Sequence, residues 1–125
     1  MTENELSKII VNACFEIHSE IGSGLLESVY EEILCYELND KGLFVERQKA
    51  IPIVWNGIKM DKAFIADIIV DDSVIIEIKS VEKLANIHFK QLLNYLKLTE
   101  MKLGLLINFN EEYLKNGIKR IVNNL

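Results

Sequence analysis

The sequence predicts an α/β fold in which a central mixed β-sheet is flanked by helices. Three observations lead there. Lys62 to Ser80 reads K-A-F-I-A-D-I-I-V, D-D-S, V-I-I-E-I-K-S, two Ile/Val-rich runs around a polar turn, which is a strand–turn–strand pattern. Phe64 to Val70 is apolar at nearly every position, as expected of a strand covered on both faces. Amphipathic stretches lie before and after this hairpin, giving the order α-α-β-β-β-α-β-α-β.

Taken in order, Thr2-Glu3-Asn4-Glu5 has the capping-box spacing, with Thr2 as N-cap and Glu5 three residues on. Leu6, Ile9, Ile10, Ala13, Cys14 and Ile17 follow at helical spacing, to an end near Glu20. Ile21-Gly22-Ser23-Gly24 interrupts. A second helix is expected from about Leu25 to Asn39, stopped by Asp40-Lys41-Gly42. Its apolar stripe is Leu26, Val29, Tyr30, Ile33, Leu34 and Leu38. At 100° per residue, Glu27 points within about 20° of Leu34, so it is expected on the buried stripe. An acid there either complements the helix macrodipole or aims a carboxylate inward at a cation.

Leu43 to Trp55 has strand character, and Pro52 marks an edge or an irregularity. Asn56-Gly57 is a hairpin turn leading into the central hairpin. Val81 to Asn86 is a connection. A third helix runs from about Ile87 to Thr99, with His88, Gln91, Leu92 and Tyr95 on one side. Lys83, Lys90 and Lys97 recur every seven residues, as either a solvated face or a track for phosphates. Lys102 to Asn108 is a buried strand, Glu111 to Asn116 a short helix with Gly117 as its left-handed C′ residue, and Ile118 to Val122 a last strand.

Length and composition bound the rest. The 125 residues suit a single domain, residues 1–125, with one real core. No apolar run reaches membrane-spanning length and the N-terminus lacks a signal pattern, so a cytoplasmic protein without membrane contact is expected. Cys14 and Cys35 fall in helical apolar patterns, as buried free thiols. The net charge of −5 argues against tight non-specific binding to nucleic acid. The charge is uneven, however: residues 1–40 sum to −8 and residues 41–125 to +3, so a polyanion would meet the later part.

Three charged residues interrupt the central hairpin: Asp67, Glu77 and Lys79. Alternation puts Glu77 and Lys79 on one strand face. If Val70 pairs with Val74 across Asp71-Asp72-Ser73, Asp67 lies opposite Glu77, and Ile65 opposite Lys79, all on that face. A one-residue slip would separate the carboxylates. Two adjacent carboxylates among isoleucines repel one another and lose hydration. A divalent cation relieves both costs, and an oxygen-rich site suits Mg²⁺ or Mn²⁺. The plain alternative is three polar positions on a half-exposed strand face.

Three separated motifs then coincide: Gly24-x-x-Glu27-x-x-Tyr30, Asp67 with Glu77-x-Lys79, and Gln91-x-x-x-Tyr95. In this order and spacing, from Ile10 to Val122, the chain resembles the small GxxExxY proteins of the PD-(D/E)XK nuclease-like superfamily. The resemblance implies a restriction-endonuclease-like core, with Asp67 and Glu77 as metal ligands and Lys79 as the active-site lysine. It makes Glu27 the counterpart of a helix glutamate and Gln91 and Tyr95 the Q-x-x-x-Y pair. Two departures are visible: Ala66 stands where a proline often precedes the aspartate, and there is no cysteine set for an iron–sulfur cluster.

Phosphodiester hydrolysis by such a site would use Asp67, Glu77, Glu27 and the Ile78 carbonyl around Mg²⁺ or Mn²⁺. Lys79 would stabilise charge at the phosphate, and Gln91 would orient Lys79 or bind phosphate. Tyr95, His88, Lys83 and Lys90 are candidates for contact with DNA or RNA. So small a catalytic domain has little surface for gripping a duplex, so a homo-oligomer is expected. The second function class is a catalytically quiet binding or assembly module on the same fold.

Overall fold

The computed structural model describes residues 1–125, the side chain of Lys62 excepted. Helix α1 (Glu3–Ile21) starts where the capping pattern puts it, with the Glu5 N–H donating to Thr2 Oγ1 at 3.1 Å. Its buried face is Leu6, Ser7, Ile10, Ala13, Cys14 and Ile17, the predicted stripe except that Ile9 is only partly buried and Ser7 joins it. Helix α2 spans Glu27–Asp40. Strands β1 (Val45–Trp55) and β2 (Ile58–Val70) form a long hairpin, turned by Asn56 and Gly57 at φ 51° and 77°. Strand β3 (Val74–Lys79), helix α3 (Asn86–Thr99), strand β4 (Leu103–Asn108) and strand β5 (Ile118–Val122) complete the order.

The five strands lie side by side in chain order. Only β3 and β4 run parallel, with α3 as the crossover, so the sheet is mixed. The odd-loop register holds at the turn: Val70 pairs with Val74, and Asp71 and Asp72 take φ 50° and 51°. Pro52 lies on edge strand β1, next to a register shift between Pro52 and Val54.

Helices α1 and α2 cover one face of the sheet, over Ile68, Val70, Val74, Ile76, Ile78, Leu103, Leu105 and Ile107. Helix α3 covers the other, over Phe64, Ala66, Ile69, Ile75 and Leu106. Ala66 and Ile68 should share a face by alternation, yet they lie in opposite cores. On the neighbouring strand, Val45 packs with the first core and Ile51 with the second. Both strands therefore turn over midway. The turnover falls at Gln48 and Asp67, which the register would pair but which drop out of the ladder. Gln48 takes φ 50° there, a conformation that costs a residue with a side chain.

Four expectations are corrected. Leu43 and Phe44 precede β1 rather than belonging to it, because their N–H groups bond to Leu38 O and Asp71 Oδ1. The β2–β3 ladder ends at Ile68–Ile76, so Asp67 and Glu77, and Ile65 and Lys79, are not ladder pairs. The Glu111–Asn116 helix shrinks to a 3₁₀ turn, Leu114–Asn116. The Glu111 carbonyl, which would open an α-helix, bonds His18 Nε2 at 2.7 Å instead. Gly117 is not left-handed, at φ −103°. It is required because a Cβ would collide with the Asn108 carbonyl. As expected, Cys14 and Cys35 are free and buried. Burial pushes the Cys14 thiol far up and the Cys35 thiol up to about 11.

Helix α3 rests on β4 at Gly104, where an added Cβ would stand 2.8 Å from Leu92 Cγ. Leu92 is fully buried and has no room to withdraw. Gly104→Ala should therefore cost about 1–3 kcal/mol of stability, measured by urea denaturation, the range for overpacking. A Gly104→Ala protein as stable as wild type would show that α3 does not seat on β4 this closely.

Candidate metal centre

The site forms where β2 and β3 part. With the ladder ended at Ile68–Ile76, the next strand donor, Ile78 N–H, has no carbonyl partner on β2. The Asp67 carboxylate replaces it, Oδ2 accepting that N–H at 2.8 Å. A carboxylate thus crosses the gap between two strands and is held by the backbone it bridges. Lys79 ends β3 and is fixed from the other side: its carbonyl accepts from Phe109 N–H at 2.9 Å. Fully buried Asn108 ties the following segment down through Val81 N–H and Val81 O.

Two clefts meet at Asp67 and Lys79. The one toward α3, about 210 Å³, is lined by Ile65, Asp67, Glu77, Lys79, His88, Gln91, Leu92, Tyr95 and Leu106. The one toward α2, about 360 Å³, is lined by Glu27, Ser28, Glu31, Gln48, Asp67, Ile78 and Lys79. The predicted Asp67, Glu77 and Lys79 therefore do share a cleft, and Gln91, Tyr95 and His88 border it. Lys83 and Lys90 are exposed and border neither cleft.

Glu77 is the most perturbed carboxyl of the described residues, pushed up to about 9. Loss of hydration comes first, then the charge of Asp67; Lys79 opposes both. Its Oε1 is buried without a hydrogen-bond donor. As a carboxylate, Glu77 is therefore undersatisfied; as an acid, it can share its proton with Asp67. This orphaned oxygen beside a second carboxylate is what a divalent cation fits. Among the described residues, no three His, Cys, Asp or Glu side chains converge as a ready ligand set. Mg²⁺ needs no such set: it commonly takes one or two carboxylates and completes its shell with water and phosphate.

Glu27 departs from expectation. It is exposed, as are Leu26 and Val29, because the first turn of α2 overruns the core. The buried acid is Glu31, one turn later and only 5% exposed. Glu27 borders the α2-side cleft with Asp67 and Lys79 but lies outside any three-acid cluster. The loop before it explains the spacing of its motif. Gly24 takes φ 99°, which suits glycine. Tyr30 stacks on Phe109, donates its hydroxyl proton to Gly22 O at 2.7 Å and accepts from Leu25 N–H. Ser80 Oγ donates to Leu25 O at 2.6 Å, tying this loop to the residue after Lys79. The glycine and tyrosine thus set where α2 begins, and so where Glu27 stands.

On α3, Tyr95 stacks against Phe64 with ring centroids 3.9 Å apart, a buttress for the helix. Burial, then the charge of Glu77, raises its phenol. His88 Nδ1 accepts from Ala85 N–H at 3.1 Å, capping α3. The neutral ring then carries its proton on Nε2 and can donate. Gln91 is exposed at the rim.

Sequence reasoning missed Glu31, Arg47 and Gln48. Glu31 Oε2 accepts from Arg47 Nε at 2.8 Å and Oε1 from Gln48 Nε2 at 2.6 Å. Gln48 Nε2 also reaches Asp67 Oδ1 at 3.3 Å. The available signals were the Glu27–Glu31 spacing of one helical turn and the polar run Glu46-Arg47-Gln48-Lys49 in a strand.

Fold and site together define a restriction-endonuclease-like core with an acid–acid–lysine cluster at its strand divergence. The model of the PD-(D/E)XK nuclease superfamily matches residues 4–121, and the chain belongs to that superfamily. No curated protein and no solved structure matches it. Membership points to nuclease-type chemistry on nucleic acid, and members of this superfamily generally use divalent metals. Among the described residues, no helix is long and apolar enough to cross a membrane.

The raised Glu77 sets a pH dependence. Unfolded, Glu77 ionises near 4.5; folded, near 9. Between these values the folded chain keeps a proton that the unfolded chain has lost. This contribution to stability is therefore full below about 4.5 and falls as pH rises toward 9. In chelator, Glu77→Gln should gain melting temperature relative to wild type steadily from pH 5 to pH 9. Parallel melting profiles for the two proteins would refute the raised Glu77 carboxyl.

Proposed function

We propose that the chain, acting as one domain, is a metal-dependent nuclease that hydrolyses phosphodiester bonds of DNA or RNA. One observation carries this reading: the donorless, buried Glu77 oxygen beside Asp67 and Lys79 at the strand divergence. Asp67 and Glu77 would hold Mg²⁺ or Mn²⁺, with the Ile78 carbonyl and Glu27, the latter through water, as outer contributors. The ion would supply Lewis acidity toward the phosphate and make water nucleophilic at neutral pH. Lys79, open to both clefts, stabilises the negative charge that grows on the phosphate oxygens. Water adds to phosphorus and gives up a proton to solvent as the ester bond to the leaving oxygen breaks, and that oxygen takes up a proton from solvent. Gln91, Tyr95 and the Nε2–H of His88 border the α3-side cleft as contacts for the nucleic-acid backbone. Lys83 and Lys90 extend a positive surface outward. The Gly24-x-x-Glu27-x-x-Tyr30 motif supports the GxxExxY group within the superfamily, a cytoplasmic homo-oligomer being the form such a small nuclease suits.

The other reading is a binding or assembly module in which Lys79 merely neutralises the acids. The lack of a three-acid cluster among the described residues favours it. Paired single-turnover cleavage and equilibrium binding measurements on wild type and Lys79→Ala separate the two. On the nuclease reading, Lys79→Ala lowers the cleavage rate about 10²–10³-fold. Binding changes far less, because the lysine acts in the transition state. Equal, background-level cleavage by both proteins in Mg²⁺ and Mn²⁺ would leave the module.

A further inference from the structure

We infer that Gln48 is a positioning residue for the metal ligand Asp67, an inference that rests on the reading of Asp67 as a ligand. Three observations converge on it. Gln48 sits at the turnover of β1, with φ 50° in the left-handed region, unpaired in the ladder. Its amide nitrogen lies between two carboxylates, 2.6 Å from Glu31 Oε1 and 3.3 Å from Asp67 Oδ1. Glu31 is itself buried and anchored by Arg47.

The chemistry fixes the direction of influence. A carboxylate only accepts, so an amide between two of them must present its NH₂ end to both. Glu31 takes the shorter bond and, held by Arg47, is the fixed end. Gln48 transmits that anchor to Asp67 Oδ1, while Ile78 N–H fixes Oδ2. The carboxylate then has one donor on each oxygen and retains a lone pair on each for a cation. Such outer contacts set the orientation of a ligand and are worth a roughly 10–100-fold change in metal affinity. The left-handed backbone is what turns the Gln48 side chain out of the strand alternation and into the cleft.

The conformation provides its own control. Only glycine adopts φ 50° without a Cβ penalty, so Gln48→Gly should melt higher than Gln48→Ala. Both lack the amide. Mn²⁺ affinity, measured by titration calorimetry without nucleic acid, should fall about 10–100-fold in both variants alike. An affinity that follows melting temperature, near wild type for Gln48→Gly and weak for Gln48→Ala, would overturn the inference. So would wild-type affinity in both. Asp67→Ala separates this failure from failure of the metal reading. If wild type binds Mn²⁺ no more tightly than Asp67→Ala, the site assignment falls and the role of Gln48 falls with it. If wild type binds more tightly and Gln48→Gly matches it, the role of Gln48 falls alone.

Discussion

The whole arrangement depends on one hydrogen bond, from Ile78 N–H to Asp67 Oδ2. A sheet that splays between β2 and β3 leaves strand donors without acceptors, and an unmet buried donor costs about 1–3 kcal/mol. A side-chain acceptor at this place allows the strands to part without that loss. Among short polar side chains, aspartate also brings a charge and a second oxygen. The structural need and the chemical opportunity thus fall on one residue. The parted strands open the space, and the residue that permits the parting stands in it.

The turnover of β1 and β2 explains why two helices from separate cores meet the same pair of residues. Near the loop, β2 packs with α1 and α2; beyond Asp67 the same residue parity packs with α3. Asp67 occupies the crossover point, and the clefts on its two sides are walled by α2 and by α3. The polar groups of each wall differ accordingly. The α2 side carries acids with Gln48 between them. The α3 side carries His88, Gln91 and Tyr95, which have neutral donors to offer.

Much of this was legible in the sequence because local chemistry determined it. Asn56-Gly57 and Asp71-Asp72-Ser73 fixed two hairpin registers, and the register brought Asp67 toward Glu77 and Lys79. Helical spacing found the faces of α1 and α3. It failed on Glu27 because periodicity gives angles around a helix and not where the helix overruns the core. Glu27 and Glu31 share a side; only burial distinguishes them. The strand turnover was invisible for a related reason. It inserts no residue and leaves the β1–β2 register unchanged across it, so no bulge signature appears in either strand. Gln48 in a left-handed conformation gives no warning either, since glycine and asparagine are the usual markers of that region.

Charge explains why Lys79 is not enough to make the site quiet. Asp67 and Glu77 set against Lys79 leave one uncompensated negative charge in the α3-side cleft, and Glu27 adds to it from across Asp67. A proton on Glu77 relieves that charge, and the carboxyl is raised by its lost hydration first and by the charge of Asp67 second. A divalent cation would displace the proton and leave the cluster of Asp67, Glu77 and Lys79 with one net positive charge. A phosphodiester linkage carries one negative charge. On the nuclease reading, the cluster of Asp67, Glu77 and Lys79 offers a phosphate backbone no net attraction before the cation binds and suits it once the cation is held. Local charge of this kind acts over a few ångströms in a cleft, where water screens least, and so outweighs the net charge of −5 spread over the chain. An acidic protein can hold nucleic acid at such a point, provided the cation arrives first or with it.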